Sequence, residues 1–137
     1  MKTPIRLGLA VVASPLEVGA GQAPALVQRL ADAWAQLGAQ LALCPYGSPV
    51  TDPASAAGAG RYFYEQRVDA LCVVGASWFE DYLVLDLLEE CDAPLIAWAR
   101  PGMETGSLCG MQQLGYMLKT LGHPYCVLYD DLDAEDS

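Results

Sequence analysis

The chain has 137 residues, 53% of them hydrophobic, which is enough for one buried core and too apolar for a disordered segment. Its formal charge of −10 repels phosphate backbones and anionic lipids, so we expect neither a nucleic-acid partner nor a membrane surface. No apolar run reaches the length of a membrane span, and the first residues lack a signal-peptide pattern. These features predict a cytoplasmic protein.

Apolar runs and helical patterns alternate along the first half of the chain. Residues 5–13 form a nearly continuous apolar run, which predicts a central strand covered on both faces. Residues 22–37 place apolar side chains at helical spacing, and residues 39–44 predict a second strand. Asp52 followed by Pro53 is a helix-start signature and predicts a second helix.

The same alternation continues to the end of the sequence. It predicts strands over residues 69–75, 94–98 and 125–129. It predicts helices over residues 80–91 and 107–121. Ser107 is the predicted N-cap of the last helix, and Gly122 is its predicted end. Five strands that alternate with helices predict an α/β three-layer sandwich. Its doubly wound sheet would be parallel, with the flavodoxin-like strand order 2-1-3-4-5.

The predicted fold implies both a domain boundary and a place for a ligand. Residues 1–129 form one predicted domain, and the acidic residues 130–137 are predicted to begin a linker to further domains. In doubly wound sheets, ligands bind outside the carboxyl ends of the strands, near the switch between the first and third strands. Residues 14–19, 76–79 and 100–107 are expected to converge there.

The last predicted helix begins with residues that suit an oxygen-rich ligand. Its first turn contains the small residues Gly106, Ser107 and Gly110, which would leave room beside unpaired backbone N–H groups. Gln112 and Gln113 follow, and at least one of these amides could point into a cleft. The alternative is a capped surface helix whose glutamines are solvated.

Several kinds of chemistry lack the residues that they need. Residues 14–21 contain no glycine-rich phosphate loop, and Gly75 and Ala76 stand where a phosphoacceptor aspartate would be. The only histidine, His123, follows a helix end and is expected to interact with that end or with solvent. Cys109 lies in a first helical turn but has no second histidine as a base, so a buried structural thiol is preferred over a nucleophile.

The cysteines indicate a reducing environment. They contain no short C-x-x-C pair, and this spacing favours buried thiols over disulfides or a zinc site. The five positions are Cys44, Cys72, Cys91, Cys109 and Cys126.

Three segments carry a resemblance to a known family. They are G-A-S-W-F-E-D-Y (75–82), W-A-R-P-G-M-E-T-G-S-L-C-G-M-Q-Q-L-G (98–115) and L-G-H-P-Y (121–125). Together they resemble the N-terminal domain of the L-fucose/L-arabinose isomerase superfamily, and in particular L-fucose isomerase-like proteins. The resemblance extends over nearly the whole chain and is poor over residues 45–66.

The resemblance implies part of a metal-dependent aldose–ketose isomerase, an intramolecular oxidoreductase. In such enzymes a divalent metal, usually manganese, holds the sugar oxygens, and its ligands lie in later domains. This chain would then bind no cofactor, hold no catalytic or metal-ligating residue and be inactive alone. Its partners would be the remaining domains, further copies in an oligomer, and a small sugar. The alternative is a stand-alone sugar-binding or assembly module that has lost the chemistry.

By motif position, the resemblance also implies which residues contact the sugar. They are Trp78, Gln113 with Gln112 as the alternative, and the polar position near Ser14. An indole face suits the C–H surface of a sugar, and amides suit hydroxyl groups. Glu104 could bind a hydroxyl or simply favour the following helix N-terminus, and Trp78 could instead fill the core.

Overall fold

A parallel sheet with helices on both faces forms the centre of the molecule, in a computed structural model that describes residues 4–35, 41–101 and 106–129. The strands are β1 (Ile5–Val12), β2 (Leu41–Pro45), β3 (Ala70–Gly75), β4 (Leu95–Ala99) and β5 (Tyr125–Tyr129). The helices are α1 (Ala23–Trp34), α2 (Pro53–Glu65), α3 (Tyr82–Glu90) and α4 (Ser107–Leu121). The strand order is β2-β1-β3-β4-β5, which confirms the predicted fold class.

The register of β1, β3, β4 and β5 brings their carboxyl ends to one level. Val12 pairs with Gly75, Gly75 with Ala99, and Ala99 with Tyr129. Because all five strands are parallel, the loops that follow them leave from the same edge of the sheet. We call this the carboxyl edge. It is where residues 14–19, 76–79 and 100–107 were expected to meet.

Each face of the sheet has its own apolar layer. On one face α1 packs over β1 and β2. The buried residues of this layer, which also include residues of β3, are Leu7, Leu9, Val11, Ala13, Ala23, Leu26, Val27, Leu30, Cys72, Val74 and Ala76. On the other face α2, α3 and α4 cover a larger cluster that includes Phe63, Phe79 and Met111. Ile96 and Trp98 of β4 lie at the margin of the α1 layer and are only partly buried.

The helix ends confirm two sequence predictions and correct a third. Asp52 caps α2: its carboxylate accepts the backbone N–H of Ser55 at 2.7 Å, and this bond lowers the carboxyl pKa. Gly122 ends α4 with a left-handed φ of 73°. The predicted N-cap at Ser107 is wrong, because the left-handed Gly106 (φ 69°) occupies that position and Ser107 is already helical.

Some predictions concern residues outside the described ranges. The end of the first helix at residues 36–38 and the linker at 130–137 are among them, so the domain boundary stays a prediction. None of the helices within residues 4–35, 41–101 and 106–129 has both the length and the apolar character needed to cross a membrane.

Candidate functional site

The loops after β1 and β3 are joined directly at the carboxyl edge. The Ser14 backbone N–H lies 3.1 Å from the Ser77 hydroxyl and 3.3 Å from the Trp78 carbonyl oxygen. The Ser77 hydroxyl in turn donates to that carbonyl at 2.7 Å. Ser77 is fully buried, so its hydroxyl has no competing water. This network fixes the backbone around Trp78 relative to β1.

Ser107 attaches the start of α4 to β3 and β4. Its hydroxyl donates to the Gly75 carbonyl at 2.8 Å and accepts the Arg100 backbone N–H at 3.0 Å. The side chain is fully buried, because it points into the sheet edge instead of capping its own helix. Ser107 therefore holds three neighbouring segments of the carboxyl edge together.

The small residues of α4 serve close packing. A Cβ added to Gly106 would lie 2.9 Å from the Cβ of Trp78, and one added to Gly110 would lie 2.9 Å from the Phe79 ring. The fully buried Phe79 and the backbone at Trp78 thus fill the space beside the first turn of the helix. The expectation that Gly106, Ser107 and Gly110 leave room for a ligand is wrong.

Trp78 and Gln113 form a hydrogen-bonded pair on the outside of this packing. The indole Nε1–H donates to the Gln113 side-chain oxygen at 3.1 Å. Trp78 is partly exposed and Gln113 is exposed, while the adjacent Phe79 fills the core. Gln112 is also exposed, and Ser14 enters the network through its backbone. Glu104 lies outside the described residues. The structure thus brings together Trp78 and Gln113, two of the residues that the resemblance implied as sugar contacts.

His123 lies at the opposite edge of the sheet. Its Nε2 is 2.7 Å from the Ala93 carbonyl oxygen, just before β4, and its Nδ1 is 3.3 Å from the Asp92 carboxylate. It therefore supplies no imidazole near Trp78. The described part of the chain contains no group of three or more histidine, cysteine, aspartate or glutamate side chains that could hold a metal ion.

The cysteines divide into two groups. Cys44, Cys72 and Cys91 are buried, as predicted, and burial raises the pKa of the Cys72 thiol to about 12. Cys109 and Cys126 are exposed, so the prediction of a buried thiol is wrong for both. All five are free thiols.

Arg100, in the segment expected at the carboxyl edge, was not among the residues predicted to contact a ligand. It follows β4 directly, and its side-chain Nε is buried without a hydrogen-bond partner. An arginine directly after a buried strand is a sequence signal, although nothing in W-A-R-P shows that its Nε lacks an acceptor.

Two surface cavities lie away from this edge. One, of about 640 Å³, is lined by the end of α2 and the residues before β4, and another, of about 440 Å³, lies between α3 and the end of α4. Neither is lined by Trp78 or Gln113. We place the candidate site at the carboxyl edge because the exposed amide and the indole converge there.

Comparison with known proteins provides no family assignment. No known family profile matches the chain, and no curated protein sequence matches it. Among solved structures, it is similar to the Lac repressor bound to ONPG in the repressed state, with 12% identity and a TM-score of 0.43 over 95% of this chain and 49% of that chain. It is also similar to the Lac repressor dimer bound to operator and the anti-inducer ONPF, with 12% identity and a TM-score of 0.44 over 94% of this chain and 56% of that one.

The chain therefore spans about half the length of these repressor structures. At such low identity and TM-score, the similarity does not assign their function to this chain.

The isomerase assignment is wrong. No family profile matches, an isomerase profile included, and the two similar solved structures described above are Lac repressors. The residues behind the resemblance have a structural explanation, since Gly106 and Gly110 allow α4 to approach Trp78 and Phe79. Glycines and aromatics at these spacings therefore meet a packing requirement, and they do not identify a sugar isomerase.

Proposed function

We propose that this domain binds a small hydroxyl-rich molecule, of the sugar class, at the carboxyl edge of its sheet. The observation that carries the proposal is the Trp78–Gln113 pair, in which a partly exposed indole is bonded to an exposed amide. The chemistry of these two side chains is what suggests a sugar as the ligand.

The pair combines two kinds of recognition in one place. The bond to Gln113 uses the indole N–H and restrains the ring, while the face of the ring suits the C–H surface of a sugar. The Gln113 amide keeps its two N–H donors and a second oxygen lone pair for ligand hydroxyl groups. Packing of the neighbouring Phe79 against Gly110 sets the backbone that presents Trp78.

The function that we propose is binding without catalysis. Around the pair, the described residues include no nucleophile that is hydrogen-bonded to a base. Cys109 is exposed. Glu80 is the acid nearest to Trp78 in sequence, and its hydrogen bond with the Tyr82 hydroxyl raises the pKa of Tyr82.

Calorimetric titration with a panel of neutral pentoses, hexoses and 6-deoxyhexoses tests this proposal. We expect saturable binding of at least one sugar, weakened about tenfold or more in Trp78→Ala because the stacking face and a bond are lost. Tyr64→Ala is the matched control, since it removes an exposed aromatic side chain from α2, which carries neither member of the pair. Equal affinity in wild type and Trp78→Ala would remove Trp78 from the site, and no binding across the panel would refute the proposal.

A second candidate function, assembly with another copy of the chain, is favoured by β5. This strand is at the edge of the sheet and pairs on one side with β4. Val127, Leu128 and Tyr129 are 43%, 47% and 54% exposed, and none of the five strand residues is charged. A neutral, apolar strand whose outer backbone edge pairs with none of the described strands is a site for pairing with another strand.

A second copy is the partner that best suits this edge. Two β5 strands related by a two-fold axis at Val127 would pair antiparallel and extend the sheet to ten strands. The net charge of −10 makes copies of the chain repel each other. We therefore expect them to associate through an uncharged surface, such as the outer edge of β5.

Sedimentation equilibrium of the purified chain tests this assembly. We expect a dimer for wild type and a monomer for Val127→Lys, because the two new ammonium groups would face each other across the two-fold axis and repel. Tyr64→Lys changes an exposed aromatic on α2 and is expected to remain dimeric. A monomeric wild type, or equal association of wild type and Val127→Lys, would contradict pairing through β5.

A further inference from the structure

Arg100 points to the chemical class of the ligand, an inference that rests on the proposed binding function of the carboxyl edge. Its backbone N–H is satisfied by Ser107, but its side-chain Nε is buried and unpaired. The partly buried Arg6, by contrast, has acceptors for its guanidinium donors. Its Nε donates to the Gln66 carbonyl oxygen at 2.6 Å, and its Nη2 donates to the Gln66 side-chain oxygen at 3.2 Å. Buried guanidinium donors normally have such acceptors.

The strand register indicates where Arg100 lies. Leu95, Ala97 and Ala99 of β4 belong to the layer covered by α2, α3 and α4, whereas Ile96 and Trp98 face the α1 layer. Continuing this alternation by one residue places Arg100 on the α1 side of the sheet.

Two small residues lie at the same level. Val12, Gly75 and Ala99 are paired in register. The residue that follows each of them therefore lies at the same level of the edge, and these three residues are Ala13, Ala76 and Arg100. The buried alanines belong to the α1 layer and carry only methyl groups. The crevice of a doubly wound sheet opens at this level, between the loops that leave β1 and its neighbours.

We propose that Arg100 binds an oxyanion of the ligand, either a carboxylate or a phosphate group. A guanidinium presents Nε–H and an Nη–H side by side, which matches two oxygens of such a group. The ligand would then be an acidic derivative of a hydroxyl-rich molecule, that is, a sugar acid or a sugar phosphate. The protein carries 17 acidic residues and 7 basic ones, so a localised arginine donor is needed to hold an anion at this edge.

Paired ligands test this inference: D-glucose against D-glucuronate and D-glucose 6-phosphate, and D-galactose against D-galacturonate. For wild type we expect an acidic member to bind about tenfold or more tightly than its neutral partner, as a charge-assisted double hydrogen bond would give. Arg100→Gln is expected to remove this preference, because the guanidinium charge and its paired donors are lost. Arg100→Lys should keep part of the preference for the acidic sugar, because lysine retains the positive charge but cannot form the bidentate hydrogen bond.

Two controls make the outcomes distinct. Arg61→Gln removes an exposed arginine from α2 and should keep the preference, and urea unfolding of each variant shows whether it is folded. Equal binding of acidic and neutral sugars by wild type, or an equal preference in wild type and Arg100→Gln, overturns the inference. If neutral sugars do not bind and inorganic phosphate still raises the wild-type Tm but not that of Arg100→Gln, the proposed sugar function fails and the anion site stands. No effect of phosphate and no binding of any sugar overturns both.

Discussion

Gly60→Ala is expected to destabilise the protein by about 3 kcal/mol, at the upper end of the usual cost of overpacking. A Cβ at this position of α2 would collide with the carbonyl oxygen of Leu87 and lie 2.7 Å from the Cβ of Glu90 on α3. The obstacle is largely backbone, so a change of rotamer cannot relieve it. The two helices would have to separate, which would open the apolar layer that they share.

Gly58→Ala is the matched control on the same helix. A Cβ there would meet only the Tyr46 hydroxyl, at 3.1 Å, and this hydroxyl is the tip of a side chain. Because alanine favours helix over glycine by up to about 1 kcal/mol, Gly58→Ala should be neutral or stabilising. Urea unfolding of both variants measures the difference. Similar free energies of unfolding for the two variants would show that α2 and α3 do not cross closely at Gly60.

Ser107→Ala is expected to cost about 2 kcal/mol and to loosen the start of α4. The substitution leaves the Arg100 backbone N–H and the Gly75 carbonyl without the buried hydroxyl that now serves both. Water does not reach the fully buried Ser107 position, so neither group regains a partner easily.

Ser55→Ala is the comparison at a wetter site. The Ser55 hydroxyl accepts the backbone N–H groups of Thr51 and Asp52 at 3.0 and 3.1 Å, in the capping box of α2. Solvent can replace it there, so we expect a smaller loss of about 1 kcal/mol. Thermal and urea unfolding of the two variants test the difference, and a Ser107→Ala protein as stable as wild type would contradict a structural role for this hydroxyl.

Much of the fold could be predicted because its signals are local. The continuous apolar run at residues 5–13 identified a central strand, and its alternation with helical stripes gave the strand order. Asp52, before Pro53, caps the start of α2, and Gly122 ends α4. Both act on backbone groups a few residues away in sequence. Such features do not depend on how distant segments pack.

Features that depend on distant segments could not be predicted. Ser107 looked like an N-cap, but its hydroxyl bonds Gly75 on another strand. Cys126 is in an apolar strand, and only the completed sheet shows that this strand is an exposed edge. Likewise, the unpaired Nε of Arg100 becomes visible only when the neighbouring segments are in place.

The candidate site lies between these two cases. The identities of Trp78 and Gln113 suggested polar recognition, and the structure places them 3.1 Å apart although 35 positions separate them in sequence. The family assignment failed because the same segments contain Gly106 and Gly110, whose spacing reflects helix packing. Packing constraints of this kind arise in unrelated α/β proteins and carry no information about the reaction.

The most direct test of ligand binding at the carboxyl edge is a ¹H–¹⁵N NMR titration of the labelled protein with the neutral and acidic sugars. The indole N–H signals distinguish Trp78 from Trp34 and Trp98, and the side-chain amide of Gln113 gives its own signal. We predict saturable shifts of the Trp78 indole and the Gln113 amide, together with backbone signals of residues 76–79. Unchanged Trp78 and Gln113 signals with every sugar, or shifts confined to the opposite edge near His123, would contradict the account.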